Sequence, residues 1–214
     1  MAYNQEQVLE RKSMEIAVLG GGNGSTAAAV DLTEQGHKVR FWRRNKDAQM
    51  ALQNEDNTIL LKDFAGTRPI RIDVVTTDMK ETLDGAQLIV CPTPAIAQAD
   101  IAQAMAPHLS NGQVVFLPPG SFGSWMMAEI VRKLGNTADV SWAEAGTLPY
   151  LTRHNGTGTI AITTRATRLP SGVYPTKNAD YTHQILAQAY PSVEPAGDAL
   201  SAALMNAGPI IHPP

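Results

Sequence analysis

The sequence predicts an α/β fold built on a doubly wound, parallel sheet, and two observations carry that prediction. The first is local. The apolar run Ile16-Ala17-Val18-Leu19 is followed at once by Gly20-Gly21-Gly22-Asn23-Gly24-Ser25, then by an alanine-rich segment, Thr26 to Gln35, ending at Gly36. Lys38 to Trp42 reads as a second strand, so strand, glycine turn, helix and strand make one βαβ unit of about 30 residues. The second observation is repetition: short β-branched runs alternate with helical segments along most of the chain, which implies a parallel sheet covered on both faces.

Taken in order, Thr58 to Ile72 suggests a hairpin turning at Ala65-Gly66, and Asp73 to Thr77 a third strand. Met79 to Leu83 is a short helix and Leu88 to Cys91 a fourth strand. Ile96 to Leu109 is helical, and Val114 to Leu117 is a fifth strand stopped by Pro118-Pro119-Gly120. A helix from Phe122 to Leu134 and a sixth strand, Val140 to Ala143, complete the set. Beyond Gly146 the pattern changes: Gly156 to Ile162 suggests added strands, Pro170 to Pro175 a loop, Ala179 to Ala189 a helix, and Ala199 to Ala207 the start of another. These segments divide the chain into an N-terminal arm (1–14), a nucleotide-binding Rossmann domain (15–190) and the start of a helical domain (191–214).

Composition narrows the function. Of 214 residues 43% are hydrophobic, and the net charge of −3 gives no basic face for nucleic acid. Cys91, the single cysteine, excludes an internal disulfide or a cysteine-built metal site, so no metal is expected. The absence of a signal-like leader or an apolar run of membrane length points to a cytoplasmic protein with no membrane partner.

In open α/β sheets ligands lie beyond the carboxyl ends of the strands, where strand order reverses. That rule collects Gly20, Gly22, Asn23, Gly24 and Ser25 after strand one and Arg43-Arg44 after strand two. It adds Pro92, Thr93 and Pro94 after strand four, and Pro119 and Gly120 after strand five. Gly20 allows the turn, Gly22 leaves room for a pyrophosphate, and the helix opened by Asn23 and Gly24 presents its amides to the phosphates. Ser25 fills the third small position. NAD sites usually carry a carboxylate about 20 positions after the glycines. Phe41-Trp42-Arg43-Arg44-Asn45 offers two guanidiniums instead, suited to the 2′-phosphate of NADP, so NADP is expected ahead of NAD.

The C-terminal stretch Leu204 to Pro214, with Asn206 six residues before His212-Pro213, resembles the segment that carries the catalytic histidine in the octopine/nopaline (opine) dehydrogenase family. The turn Gly-Gly-Gly-Asn-Gly-Ser, Pro92 to Ala95 and Pro119-Gly120 are similar to that family's segments too. Ser25 stands in place of a usual glycine, and Gly208 where relatives often have a second asparagine. The resemblance implies reduction of the imine formed between an α-keto acid and an amino acid, with His212 exchanging the proton and Asn206 orienting substrate or nicotinamide. It also implies a helical substrate domain after the His-Pro pair, where this chain stops; a surface left bare by that domain would favour a homodimer. His37, His108, His154 and His183 are read as structural.

Two alternatives stay open. Dehydrogenases of the glycerol-3-phosphate, ketopantoate and hydroxyacid types share this N-terminal architecture but generally use a lysine beyond it, and after Lys133 the chain offers only Lys177. A noncatalytic NADP-binding module would carry the same glycine turn.

Overall fold

The computed structural model describes residues 12–155 and 158–206. Six strands run parallel in the large sheet: β1 (Glu15–Leu19), β2 (Lys38–Trp42), β5 (Val74–Thr76), β6 (Leu88–Val90), β7 (Val114–Leu117) and β8 (Ser141–Ala145). Their spatial order is β5-β2-β1-β6-β7-β8, so strand order reverses between β1 and β6. This is the Rossmann arrangement, and it places the crevice above the ends of those two strands. Strands such as Val114–Leu117 and Leu88–Val90 are buried at every position, as expected of a sheet with both faces covered.

Beyond β8 the sheet continues. β11 (Leu169–Tyr174) pairs antiparallel with β8, and β12 (Val193–Asp198) pairs parallel with β11 as the outer strand. The sequence reads 170–175 as a loop because Pro170, Gly172 and Pro175 break the pattern; Pro170 falls at the second strand position and Pro175 just past its end, so the ladder survives both. β12 lies where a second domain is expected to begin, and helix α6 (Ala179–Ala189) connects it to β11 in agreement with expectation.

A smaller sheet, ordered β4-β3-β10-β9, packs over helix α1 (Asn23–Glu34). The expected hairpin supplies β3 (Thr58–Asp63) and β4 (Gly66–Arg71), and the expected added pair is β9 (Tyr150–His154) with β10 (Thr159–Arg165). Helix α1 therefore lies between two sheets, and every residue from Ser25 to Leu32 is buried. Its alanine content follows from that double contact, since small side chains let both sheets approach. Helix α2 (Lys46–Asn54), absent from the sequence reading, begins at Asn45, whose side chain accepts from the Ala48 amide at 3.1 Å. Helices α3 (Met79–Leu83), α4 (Ala95–Met105) and α5 (Gly123–Lys133) cover the opposite face, and α4 passes into a 3₁₀ turn at Ala106–His108. Helix α7 (Ala199–Leu204) ends the described chain, and no helix among the described residues is long and apolar enough to cross a membrane.

A chain of charges ties the small sheet to α1. Arg165 Nε donates to Asp31 Oδ1 at 2.7 Å and its Nη2 to Asp63 Oδ2 at 3.1 Å. Arg68 grips both oxygens of Asp63 at 2.8 and 3.0 Å and pairs with Glu34, while Tyr150 Oη donates to Asp31 at 3.0 Å. The Arg68 hydrogen bonds hold the Asp63 carboxyl well below the usual carboxylate range, helped by the Ala65 amide and Arg165 and opposed by burial. An unfolded aspartate titrates near ~3.9. The ionised Asp63 thus stabilises the fold above that value, and its contribution is lost as pH falls below it. Urea unfolding at about pH 5 and about pH 3 should show a smaller loss of stability in Asp63→Asn than in the unaltered protein; equal losses would contradict the role assigned to this carboxylate.

Candidate functional site

The carboxyl ends of β1, β2 and β6 meet at the reversal of strand order, and the glycine turn fills the space between them. Gly20 has φ +118°, and a Cβ there would lie 2.5 Å from Ser25 Oγ and 3.0 Å from Thr93 Cγ2. The turn is closed from within: Ser25 Oγ donates to Leu19 O at 3.1 Å, and the Gly20 amide bonds Trp42 O at 3.2 Å. Pro92 backs Gly24, where an added Cβ would come within 3.4 Å of the Pro92 ring. Segments chosen from distant parts of the sequence are thus in contact.

Gly22 behaves differently. An added Cβ there would meet nothing within 4 Å, so packing does not demand glycine at this position. Gly22 is also the N-cap of α1, and no side chain caps that helix, in contrast with α2, α3 and α7, which use Asn45, Asp78 and Asp198. Open space over an uncapped helix N-terminus, with no carboxylate in the first turn, is what a phosphate requires. The residues present fit a dinucleotide pyrophosphate. Asn23 contributes its side chain elsewhere, accepting from the His154 amide at 3.0 Å and so tying β9 to the turn.

The two arginines after β2 part company. The Arg43 amide continues the sheet by bonding Thr76 O at 2.9 Å, and the guanidinium lies over the Phe41 ring, 5.1 Å from its centroid. It also faces the glycine turn: a Cβ on Gly21 would sit 3.1 Å from Arg43 Cζ. Burial lowers the Arg43 pKa, but a guanidinium remains cationic at any physiological pH. Arg44 turns outward, 72% exposed, with Nη1 3.7 Å from Asp100 Oδ2 on α4.

Thr93 Oγ1 lies 3.3 Å from Cys91 Sγ, and burial pushes that thiol up to about 11, so Cys91 is not a thiolate nucleophile. Pro94 is the N-cap of α4. Pro119 and Gly120 follow β7 on the other side of the crevice, in a loop whose Ser121 and Phe122 adopt left-handed backbone, φ 52° and 68°. Asn206 Nδ2 donates to Ser121 Oγ at 3.0 Å, so this side chain braces the same loop. His212 lies outside the described residues. Lys177 pairs with Asp139 at 3.5 Å just ahead of β8, at the amino end of that strand and so at the end of the sheet opposite the crevice.

Sequence reasoning missed Glu144. It is 1% exposed at the end of β8, its Oε1 accepts from Ser124 Oγ at 2.9 Å, and its Oε2 finds no donor among the described residues. Burial raises its pKa, with Ser124 and the first amides of α5 acting against that rise. Its signal lies in the fold, where Ser141–Ala145 is a strand buried at every position with one carboxylate among apolar and small neighbours.

Comparison with known proteins agrees with this fold. Residues 15–140 match the family model of the NAD-dependent glycerol-3-phosphate dehydrogenase N-terminus. An opine dehydrogenase of Arthrobacter sp. (strain 1C) is 25% identical over 205 residues, 94% of this chain and 56% of that protein. The glycerol-3-phosphate dehydrogenase [NAD(P)+] of Pseudomonas fluorescens (strain Pf0-1) is 34% identical over 128 residues, 58% of this chain and 35% of that protein. Octopine dehydrogenase, solved with NADH and L-arginine and with NADH and pyruvate, superposes with TM-scores of 0.73 and 0.74 at 21% and 22% identity. Each superposition covers 92% of this chain and 52% or 53% of that one, so the chain spans about half the length of these opine and octopine enzymes. Since residues 15–140, the glycine turn among them, match that family model, the chain belongs to the family of NAD-dependent glycerol-3-phosphate dehydrogenase N-terminal domains, and it is a homologue of the opine dehydrogenases.

Proposed function

We propose that this chain is the nucleotide-binding part of an NADP(H)-dependent opine-type dehydrogenase, which joins an α-keto acid to an amino acid and reduces the resulting imine. The observation that carries the nucleotide reading is the uncapped N-terminus of α1 beside Gly22, with the Arg43 guanidinium against Gly21. The amides of Asn23, Gly24 and Ser25 would receive the pyrophosphate, and Arg43 the 2′-phosphate. Arg44, held outward by Asp100, would add charge at the rim. The bound cofactor would supply the reducing equivalent.

The opine assignment rests on two supports. One is homology along 94% of the chain to an opine dehydrogenase, and octopine dehydrogenase itself has been solved with L-arginine and with pyruvate. The other is the Asn206-to-His212-Pro213 spacing. His212 would hold and pass the proton that imine formation and reduction exchange, a task suited to an imidazole near neutral pH. Asn206 would carry the position of the Ser121 loop toward that histidine. A lysine-based chemistry is less well served, because Lys177 lies at the amino end of β8, opposite the crevice.

Calorimetric titration with NADPH and with NADH tests the cofactor reading. NADPH should bind more tightly. Arg43→Ala should weaken NADPH by about 10- to 100-fold and leave NADH nearly unchanged, with a smaller effect from Arg44→Ala. Tighter binding of NADH would overturn the arginine argument while sparing the fold.

Gly22→Ala separates binding from folding. The new methyl group has free space, so the melting temperature should fall by no more than a few degrees, the cost of a poorer N-cap. Dinucleotide affinity should drop by about tenfold or more, because the methyl group takes the place of the pyrophosphate. Retained affinity would mean that the phosphates lie elsewhere.

A further inference from the structure

The second half of the crevice lies over β6, β7 and β8, and its outer wall is the loop from Pro118 to Phe122. Two consecutive non-glycine residues in that loop, Ser121 and Phe122, hold left-handed backbone. Such a conformation persists only where surrounding contacts fix it. The contacts are visible on both sides. From one side Asn206 Nδ2 reaches Ser121 Oγ at 3.0 Å. From beneath, Glu144 fills the space under Gly120 so closely that an added Cβ would overlap its carboxylate, and Ser124 Oγ binds its Oε1 at 2.9 Å.

Glu144 also changes the character of α5. Helix α5 begins at Phe122 without a side-chain cap of its own, and the carboxylate of Glu144 occupies the position a ligand anion would take there. Helix α1 keeps its N-terminus open and α5 does not, so of these two helices one offers a phosphate seat and the other a prefilled anchor. Burying a carboxylate in a strand is costly, and stability alone would favour an apolar residue there.

We propose that Glu144 is a positioning residue, which from beneath Gly120 holds the Pro118–Phe122 loop in the shape that receives the nicotinamide half of the dinucleotide. The inference rests on the nucleotide reading above. It predicts a division between the two halves of the ligand: the adenosine half, seated at α1 and Arg43, should be indifferent to Glu144, and the nicotinamide half should depend on it.

The test titrates Glu144→Ala, Glu144→Gln and Ser124→Ala with NADPH and with adenosine 2′,5′-bisphosphate, which has no nicotinamide. Glu144→Ala should weaken NADPH by about tenfold or more, the equivalent of one lost charge-assisted hydrogen bond, and shift the bisphosphate by less than about twofold. Glu144→Gln retains an acceptor for Ser124 and should fall between; Ser124→Ala should act in the same direction and more weakly. The emission of bound NADPH, which reports the surroundings of the nicotinamide, should move toward that of free NADPH in Glu144→Ala. Equal weakening of both ligands, or unchanged NADPH affinity in Glu144→Ala, would overturn the proposal while the nucleotide reading stands. Should Glu144→Ala fail to fold, the same two ligands read on Ser124→Ala decide the question. Failure of the unaltered protein to bind the bisphosphate would overturn the nucleotide reading and this inference with it.

Discussion

The confinement of α1 between two sheets governs the rest of this structure. One face of the helix packs on β1 and β2 of the parallel sheet, and the other meets β4, β9 and β10 of the small sheet. With residues 25 to 32 all buried, the helix can neither tilt nor slide without opening a core on one side or the other. Its N-terminal amides are therefore aimed at a fixed point beyond β1. The Asp31–Arg165–Asp63–Arg68 chain near the other end of α1 and the Asn23–His154 bond at its start act on the same helix. They clamp the small sheet to it along its length.

Given a fixed α1, the crevice is organised by where negative charge is already present. Helices α2, α3 and α7 close their N-termini with their own side chains, and α5 is served by Glu144 from the neighbouring strand. The N-termini of α1 and α4 have no such occupant, and at α1 the Arg43 guanidinium adds a cation beside the glycine turn. The α1 terminus thus combines open amides with a neighbouring cation, which suits a phosphate-bearing ligand. The apolar ends of the strands around it supply walls of proline and glycine.

Much of this was legible in the sequence. The six parallel strands follow from apolar runs at regular spacing, and the glycine turn is informative because a strand precedes it and a helix follows. Pro92, Thr93 and Arg43 could be placed near the turn without coordinates, since topology alone brings strand ends together. What was not legible depends on tertiary context. The β11 strand hides behind Pro170 and Gly172, and β12 carries Pro195 and Gly197, so local propensity argues against both. The union of β3 with β10 joins residues about a hundred positions apart, which no local pattern encodes. Glu144 was passed over because a single carboxylate in a strand reads as a solvated edge until burial shows otherwise. Arg43 and Arg44 look equivalent in sequence, and only the fold shows that one faces the turn and the other faces Asp100.

The central claim is that the N-terminus of α1 is the phosphate seat. Amide chemical shifts of isotope-labelled protein, followed as NADPH is added, test it residue by residue. The account predicts the largest displacements at the amides of Gly22, Asn23, Gly24 and Ser25, with Arg43 and Thr93 following and the Asp31–Arg165–Asp63 ion-pair chain quiet. Large displacements at that chain, or at α5 with the α1 terminus unmoved, would contradict it.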